Sequence, residues 1–206
     1  MTRIKICGLK REEDIAYVNE ARPDFAGFII NVPESSRNVD VSLLYQLTAL
    51  LDPAIAPVGV FVDEDEKLVA GLLKERVIRA AQLHGHEDPA YISRLRALTQ
   101  GCGEIWKAFK IRNLNDIKEA VMCSADRILL DGGAGDGRVF DWSLLRKVNR
   151  PYILAGGLNE ENISRAIGTL HPWGVDMSSG AETMGIKDPG KILNITALVR
   201  QENLSQ

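Results

Sequence analysis

Short runs of β-branched and apolar residues alternate along this chain with longer segments whose apolar positions recur at helical spacing, and the alternation repeats eight times. The runs predict strands over Arg3–Cys7, Phe25–Asn31, Ala56–Val62, Ile78–His84, Ile105–Ile111, Arg127–Asp131, Tyr152–Ala155 and Val175–Ser178. Helical segments are expected to begin near Glu12, Ser42, Glu64, Pro89, Leu114, Trp142, Glu160 and Pro189. Asn159, followed by two glutamates, is a candidate N-cap, because its side chain can accept from first-turn amides while acidic neighbours favour the helix dipole. Pro189 suits a first helical turn. Eight βα cycles in 206 residues match the lower size range of a TIM barrel, whereas an open doubly wound sheet rarely carries so many regular cycles. The expected fold is therefore α/β, a single (β/α)8 barrel domain over residues 1–206. The longest irregular stretches, Val32–Asp40 and Gly132–Asp141, both follow strands and are expected at the functional mouth.

Composition narrows the function. The chain is 45% hydrophobic and 26% charged, the balance of an ordinary globular domain. A net charge of -3 with no long basic run gives no field for nucleic acid. No window approaches the roughly 20 apolar residues that cross a bilayer, and no apolar stretch of signal-peptide length opens the chain. A cytoplasmic monomer without membrane or nucleic-acid partners is expected. Cys7, Cys102 and Cys123 are an odd, widely spaced set with no C-x-x-C, which supports neither a disulfide framework nor a zinc knuckle.

Polar groups at the carboxyl ends of barrel strands converge on one mouth, and strand alternation decides which face each side chain takes. In the first strand Ile4 and Ile6 share one face, so if they pack on helices, Lys5 lies inside the barrel and Cys7 at its rim. A neighbouring ammonium would favour the thiolate and make Cys7 a usable base or nucleophile, although a single cysteine is more often an inert buried thiol. "DRILLDGG" ends the sixth strand with Asp131. Alone, such an aspartate caps a loop at least as often as it does chemistry. Strands one and six lie across a barrel from one another, however, and could set two proton-transfer groups around one substrate. "LAGGLNEEN" and "DMSSGAE" end strands seven and eight, where barrels often bind phosphate, and make Gly156, Gly157, Ser179 and Gly180 the phosphate candidates. With no Walker sequence and no G-x-G-x-x-G after a strand, a sugar phosphate fits better than a nucleotide.

Three further polar groups draw notice. Arg37, in the long loop after strand two, has a planar fork able to hold a substrate carboxylate, although a loose surface arginine is commonplace. His84 and His86 alternate like paired metal ligands, but no third ligand has recognisable spacing; no metal is expected, and His84 is placed at the mouth with His86 in solvent. Lys107 is either a Schiff-base lysine of an aldolase or a core-facing lysine with a carboxylate partner.

Seven ordered blocks then point one way: "KICGL", "FAGFIINVPESSRNV", "VGVFVDE", "AAQLHGHE", "LLDGG" followed by "FDW", "ILAGGLNEENI" and "GVDMSSGAETMGIKD". Together they resemble the phosphoribosylanthranilate isomerase family of tryptophan biosynthesis over nearly the whole chain. The resemblance implies a (β/α)8 barrel that uses neither metal nor organic cofactor and isomerises a small phosphosugar, an aminoaldose, to an aminoketose. It implies Cys7 as general base, Asp131 as general acid, Arg37 on the anthranilate carboxylate, Asp176 beside the substrate, and the glycine and serine loops on the phosphate. His84 joins the substrate-binding candidates.

Two positions depart from the family pattern. The stretch before "FDW" reads Ala134-Gly135-Asp136-Gly137, where Asp136 would repel an anionic substrate if it pointed inward. Ser36 stands where a proline usually precedes the arginine, which leaves that loop less restricted before binding. The competing readings are the related histidine-pathway isomerase, which looks to carry an aspartate where Cys7 stands, a silent sugar-phosphate-binding barrel, and the Lys107 aldolase.

Overall fold

The computed structural model describes residues 1–132 and 142–204. Eight strands, β1 (Arg3–Cys7), β2 (Phe25–Ile30), β3 (Ala56–Phe61), β4 (Ala80–Leu83), β5 (Glu104–Lys110), β6 (Arg127–Asp131), β7 (Tyr152–Ala155) and β8 (Gly174–Met177), run parallel in sequence order. β1 pairs with both β2 and β8, which closes the barrel. The predicted strands all form. Five end one residue earlier than expected, three of them for evident local reasons. Asn31 turns to a φ of 54°, a left-handed conformation that asparagine tolerates and that an extended run cannot continue through. Past β3, Asp63 takes a φ of 52°, and past β4 the chain bends at Gly85.

Helices α1 (Glu12–Ala21), α2 (Val41–Ala49), α3 (Glu66–Lys74), α4 (Pro89–Thr99), α5 (Leu114–Met122), α6 (Ile163–Leu170) and α7 (Pro189–Leu204) surround the strands. Several start where an acceptor side chain stands. Asp40, Asp65 and Asp88 accept first-turn amides of α2, α3 and α4, and Pro189 opens α7. Two expectations need correction. Asn159 does not cap α6: its side chain accepts from the amides of Glu161 and Asn162, so it shapes a turn one step ahead of the helix. The segment from Trp142 is a 3-10 helix, Trp142–Lys147, rather than an α-helix.

Alternation builds two cores. Ile4 and Ile6 face outward and pack with Ile15, Val18, Ile192 and Ile195 of the helices. Inside, Val58, Ala80, Trp106, Leu129 and Ile153 fill the lower barrel, with Phe25 and Trp173 beside them. Trp106 is fully buried and its ring meets Phe25 edge-on at 5.1 Å. Arg3 and Arg127 lie over the Trp173 ring at 4.7 and 4.5 Å, which plugs the amino-terminal end.

The loops above the strands are tied by buried charge. Glu87 accepts from the backbone amides of Asp63 at 2.8 Å and Gly85 at 2.9 Å, and Lys107 Nζ donates to it at 2.7 Å and to the Gly85 carbonyl at 2.8 Å. One side-chain pair thus fastens the loops after β3 and β4 to β5. Replacing Lys107 with Met would leave a buried carboxylate without its cation, and Lys107→Met is expected to cost about 3 kcal/mol in urea unfolding at neutral pH. A loss under about 1 kcal/mol would show that the pair does not hold these loops.

Candidate active site

The carboxyl ends of β1, β2, β4, β6 and β8 bring the singled-out groups to one mouth. Lys5 and Asp176 are register partners on β1 and β8 and both face inward. Lys5 Nζ donates to the two carboxylate oxygens of Asp176 at 3.0 and 3.2 Å. Burial works against the Lys5 charge, but Asp176 and the Cys7 sulfur outweigh it and hold the ammonium above its ordinary pKa. Asp176, expected to face substrate, is first of all the partner of this lysine.

Cys7 sits one step above Lys5 and is 6% exposed. Its sulfur lies over Gly27 of β2, where an added Cβ would stand 2.9 Å from Sγ and 2.9 Å from Lys5 Cε. The expected thiol shift is reversed. Burial pushes the Cys7 thiol above its usual value, Lys5 pulls it down, and Asp176 adds to the rise. The ammonium predicted to favour the thiolate is in place, but the sequence did not reveal how completely the sulfur is desolvated, nor that Lys5 shares its charge with a carboxylate.

Arg37 is not a loose surface group. The loop before it closes on itself through Ser35 N to the Val32 carbonyl at 2.9 Å and Asn38 N to the Ser35 carbonyl at 3.1 Å. A two-residue strand, Asn38–Val39, then pairs with Ile29 and Ile30 of β2, so the loop is fastened without the proline that Ser36 replaces. The stem of Arg37 crosses Gly8, whose φ of 84° and missing side chain leave the room; an added Cβ there would be 2.4 Å from Arg37 Cδ. Its guanidinium binds Glu182 through Nε at 2.7 Å and Nη2 at 2.6 Å.

His84 follows β4 and is half-buried; burial holds its pKa below the ordinary histidine value, with Asp131 and Asp176 pulling upward and Lys5 and Lys110 downward. It is therefore a neutral ring at neutral pH, within electrostatic reach of the groups on β1, β6 and β8. His86 is exposed and its Nδ1 pairs with Asp63 at 2.9 Å. Among the described residues no set of three His, Cys, Asp or Glu groups is placed to hold a metal ion. Lys107 points outward from β5 to Glu87, so its ammonium is paired within the loops and is not presented in the barrel.

Asp131 ends β6, half-buried, with its Oδ1 2.6 Å from where a Cβ of Gly156 would stand. Gly156 and Gly157 take φ values of 90° and 65°, open to glycine at no cost, and bring this loop against both Asp131 and the next loop. There a Cβ on Gly180 would fall 2.0 Å from the Leu158 carbonyl. The four phosphate candidates thus form one continuous glycine-lined edge. Asp136 lies outside the described residues.

Sequence reasoning missed three groups. Gln82 shares the inward face of β4 with Ala80, is 1% exposed, and its Oε1 has no protein partner among the described residues; alternation alone would have found it. Glu182 and Lys187 face each other across a short hairpin, Glu182–Thr183 with Ile186–Lys187, and no periodic pattern announces so small a hairpin.

Residues 4–197 match the sequence profile of the family described as N-(5'phosphoribosyl)anthranilate (PRA) isomerase. A protein of that name from Acetivibrio thermocellus is 42% identical, covering 98% of this chain and 97% of its own. Another, from Endomicrobium trichonymphae, is 40% identical over 97% and 99%. Among solved structures, the phosphoribosyl anthranilate isomerase of Thermotoga maritima superposes with a TM-score of 0.84 at 32% identity, covering 98% of this chain and all of that one. A second, at TM-score 0.83 and 32% identity over 98% and 100%, is a phosphoribosyl anthranilate isomerase in complex with reduced 1-(o-carboxyphenylamino)-1-deoxyribulose 5-phosphate.

The contact between Cys7 and Gly27 gives a direct test of this packing. Gly27→Ala is expected to cost about 1–3 kcal/mol from overpacking and to change the rate of Cys7 alkylation by iodoacetamide, measured against Cys7→Ala. Unchanged stability together with unchanged alkylation would mean that the sulfur does not rest on this glycine.

Proposed function

The chain belongs to the N-(5'-phosphoribosyl)anthranilate isomerase family, and on that premise we propose the roles of the residues at the barrel mouth. The reaction is the Amadori rearrangement of N-(5'-phosphoribosyl)anthranilate to 1-(o-carboxyphenylamino)-1-deoxyribulose 5-phosphate, an aldose–ketose isomerisation of tryptophan biosynthesis. Asp131 delivers a proton to the furanose oxygen as the anilino nitrogen lone pair opens the ring to an iminium. Cys7 removes the C2 proton to give an enolamine, which tautomerises to the ketone by loss of the C2 hydroxyl proton and gain of one at C1. Protons alone move, and the product is an isomer of the substrate.

The observation that carries these roles is the stack at the end of β1: a desolvated thiol on Gly27, above an ammonium that is itself held by Asp176. A buried thiolate is a stronger base than an exposed one but scarcer at neutral pH, and Lys5 offsets part of that scarcity. The cationic iminium, formed before the C2 proton leaves, adds a second charge that favours thiolate. Arg37 takes the anthranilate carboxylate, His84 and Asp176 border the sugar, and the loops of Gly156, Gly157, Ser179 and Gly180 take the phosphate through backbone amides. No helix among the described residues is long and apolar enough to cross a membrane; action in the cytoplasm, as a monomer, is part of the same proposal.

Loss of anthranilate fluorescence from phosphoribosylanthranilate generated in situ measures turnover. Cys7→Ala and Asp131→Asn are each expected to lower kcat by at least about 100-fold with the fold intact by circular dichroism. A wild type that binds the reduced product analogue without turnover would instead support the silent-barrel reading. The thiolate absorbance of Cys7, taken as the difference between wild type and Cys7→Ala, is expected to titrate above the ordinary thiol value of about 8.5. Because Lys5 lowers that pKa, Lys5→Met is expected to move the midpoint further up; a downward move would remove Lys5 from the mechanism.

A further inference from the structure

We propose that Glu182 is a positioning residue for substrate recognition: it holds the Arg37 guanidinium by one edge so that the opposite edge faces the carboxylate of the substrate. This rests on the reading of Arg37 as the carboxylate holder and adds the group that aims it.

An arginine offers two bidentate edges, one formed by Nε with Nη2 and the other by Nη1 with Nη2. Glu182 occupies the first, with bonds of 2.7 and 2.6 Å. The Nη1 hydrogens and the second Nη2 hydrogen form the remaining edge. The Arg37 side chain is 27% exposed while Glu182 is 5% exposed, so the occupied edge is the inner one. The stem is held as well, because it crosses Gly8 next to Cys7. Clamped at stem and inner edge, the guanidinium has little rotamer freedom left to lose when substrate arrives.

The clamp is itself anchored. Lys187, opposite Glu182 in the hairpin register, donates to Glu182 Oε1 at 2.5 Å and to the Ser178 carbonyl at 3.0 Å. Lys191 Nζ donates to the Glu182 carbonyl oxygen at 2.7 Å. Burial alone would raise the Glu182 pKa, but its bonds to Arg37 and Lys187 hold it below the usual carboxylate range, so it stays an anion. Lys187 also settles the charge. Arg37 with Glu182 alone would be a neutral pair with little pull on an anion. Burial pulls the Lys187 pKa below the ordinary lysine value while Glu182 pulls it back up; in its protonated form this second cation leaves the three groups with one net positive charge where a carboxylate is to bind.

The test compares phosphoribosylanthranilate with phosphoribosylaniline, which has the same sugar phosphate and no carboxylate, in wild type, Arg37→Gln and Glu182→Gln. Arg37→Gln is expected to abolish the preference for the carboxylated substrate in kcat/KM. Glu182→Gln is expected to reduce that preference about tenfold, the scale of one hydrogen bond to a charged group, mainly through KM. Equal losses on both substrates, or an unchanged preference in Glu182→Gln when Arg37→Gln has lost it, would overturn the positioning role. A preference that survives Arg37→Gln would overturn the reading of Arg37 itself, a separate outcome. If Glu182→Gln fails to fold because Lys187 is stranded, Glu182→Gln with Lys187→Gln removes both buried charges and is read by the same ratio.

Discussion

An ammonium enclosed by a barrel must be paired, and Lys5 finds its partner in a residue 171 positions away in sequence. Lys5 on the first strand and Asp176 on the last become register partners only when β1 meets β8. The ion pair and the closure of the barrel are therefore one event. Other links cross the same seam: the Thr2 amide donates to Asn203 of the last helix, and Arg200 pairs with Asp24, whose carboxylate also accepts the Ile4 amide. The residue above Lys5 inherits the consequence. Cys7 faces a charge whose field is shared with a carboxylate, in a place already stripped of water, so its acidity depends on how tightly the seam is closed.

The same seam makes the acidity of Cys7 and the stability of the barrel hard to separate. Removing Asp176 would leave Lys5 without its carboxylate and change the charge beneath the thiol. Removing Lys5 would strand Asp176 and raise the thiol pKa from both directions at once, through the lost cation and the uncompensated anion. A side chain added at Gly27 would press on the thiol and the lysine stem together. Four residues on three neighbouring strands thus share a single electrostatic and packing unit.

Much of this fold was legible because a barrel repeats a local rule. Alternation in "RIKIC" put Ile4 and Ile6 outward and Lys5 and Cys7 inward, and the same rule put Asp131 at a strand end. Errors came where a single residue outweighs the pattern. Asn31 ends β2 by turning left-handed, and Asn159 spends its side chain on a turn ahead of α6. The candidate site was legible in its strand-borne members and less so in what partners them. Alternation gives the direction of a side chain but not its burial, so it could place Lys5 beneath Cys7 without showing that desolvation of the sulfur would dominate. Gln82 follows from the same rule, but an amide, unlike a histidine, does not announce chemistry.

Glu182 and Lys187 were illegible for a different reason. They stand five residues apart, in a hairpin of two-residue strands, and a pattern so short has no period to detect. Their partner Arg37 comes from the loop after β2, 145 residues earlier, and the loops meet only because β1 lies between β2 and β8 in the closed sheet. Loop partners at a barrel mouth are thus set by which strands neighbour each other around the ring, a property of closure that no local window contains. For this molecule the consequence is that the candidate groups carried on strands follow from the strand pattern, while the loop groups that pair around Arg37 follow from the closure of the ring.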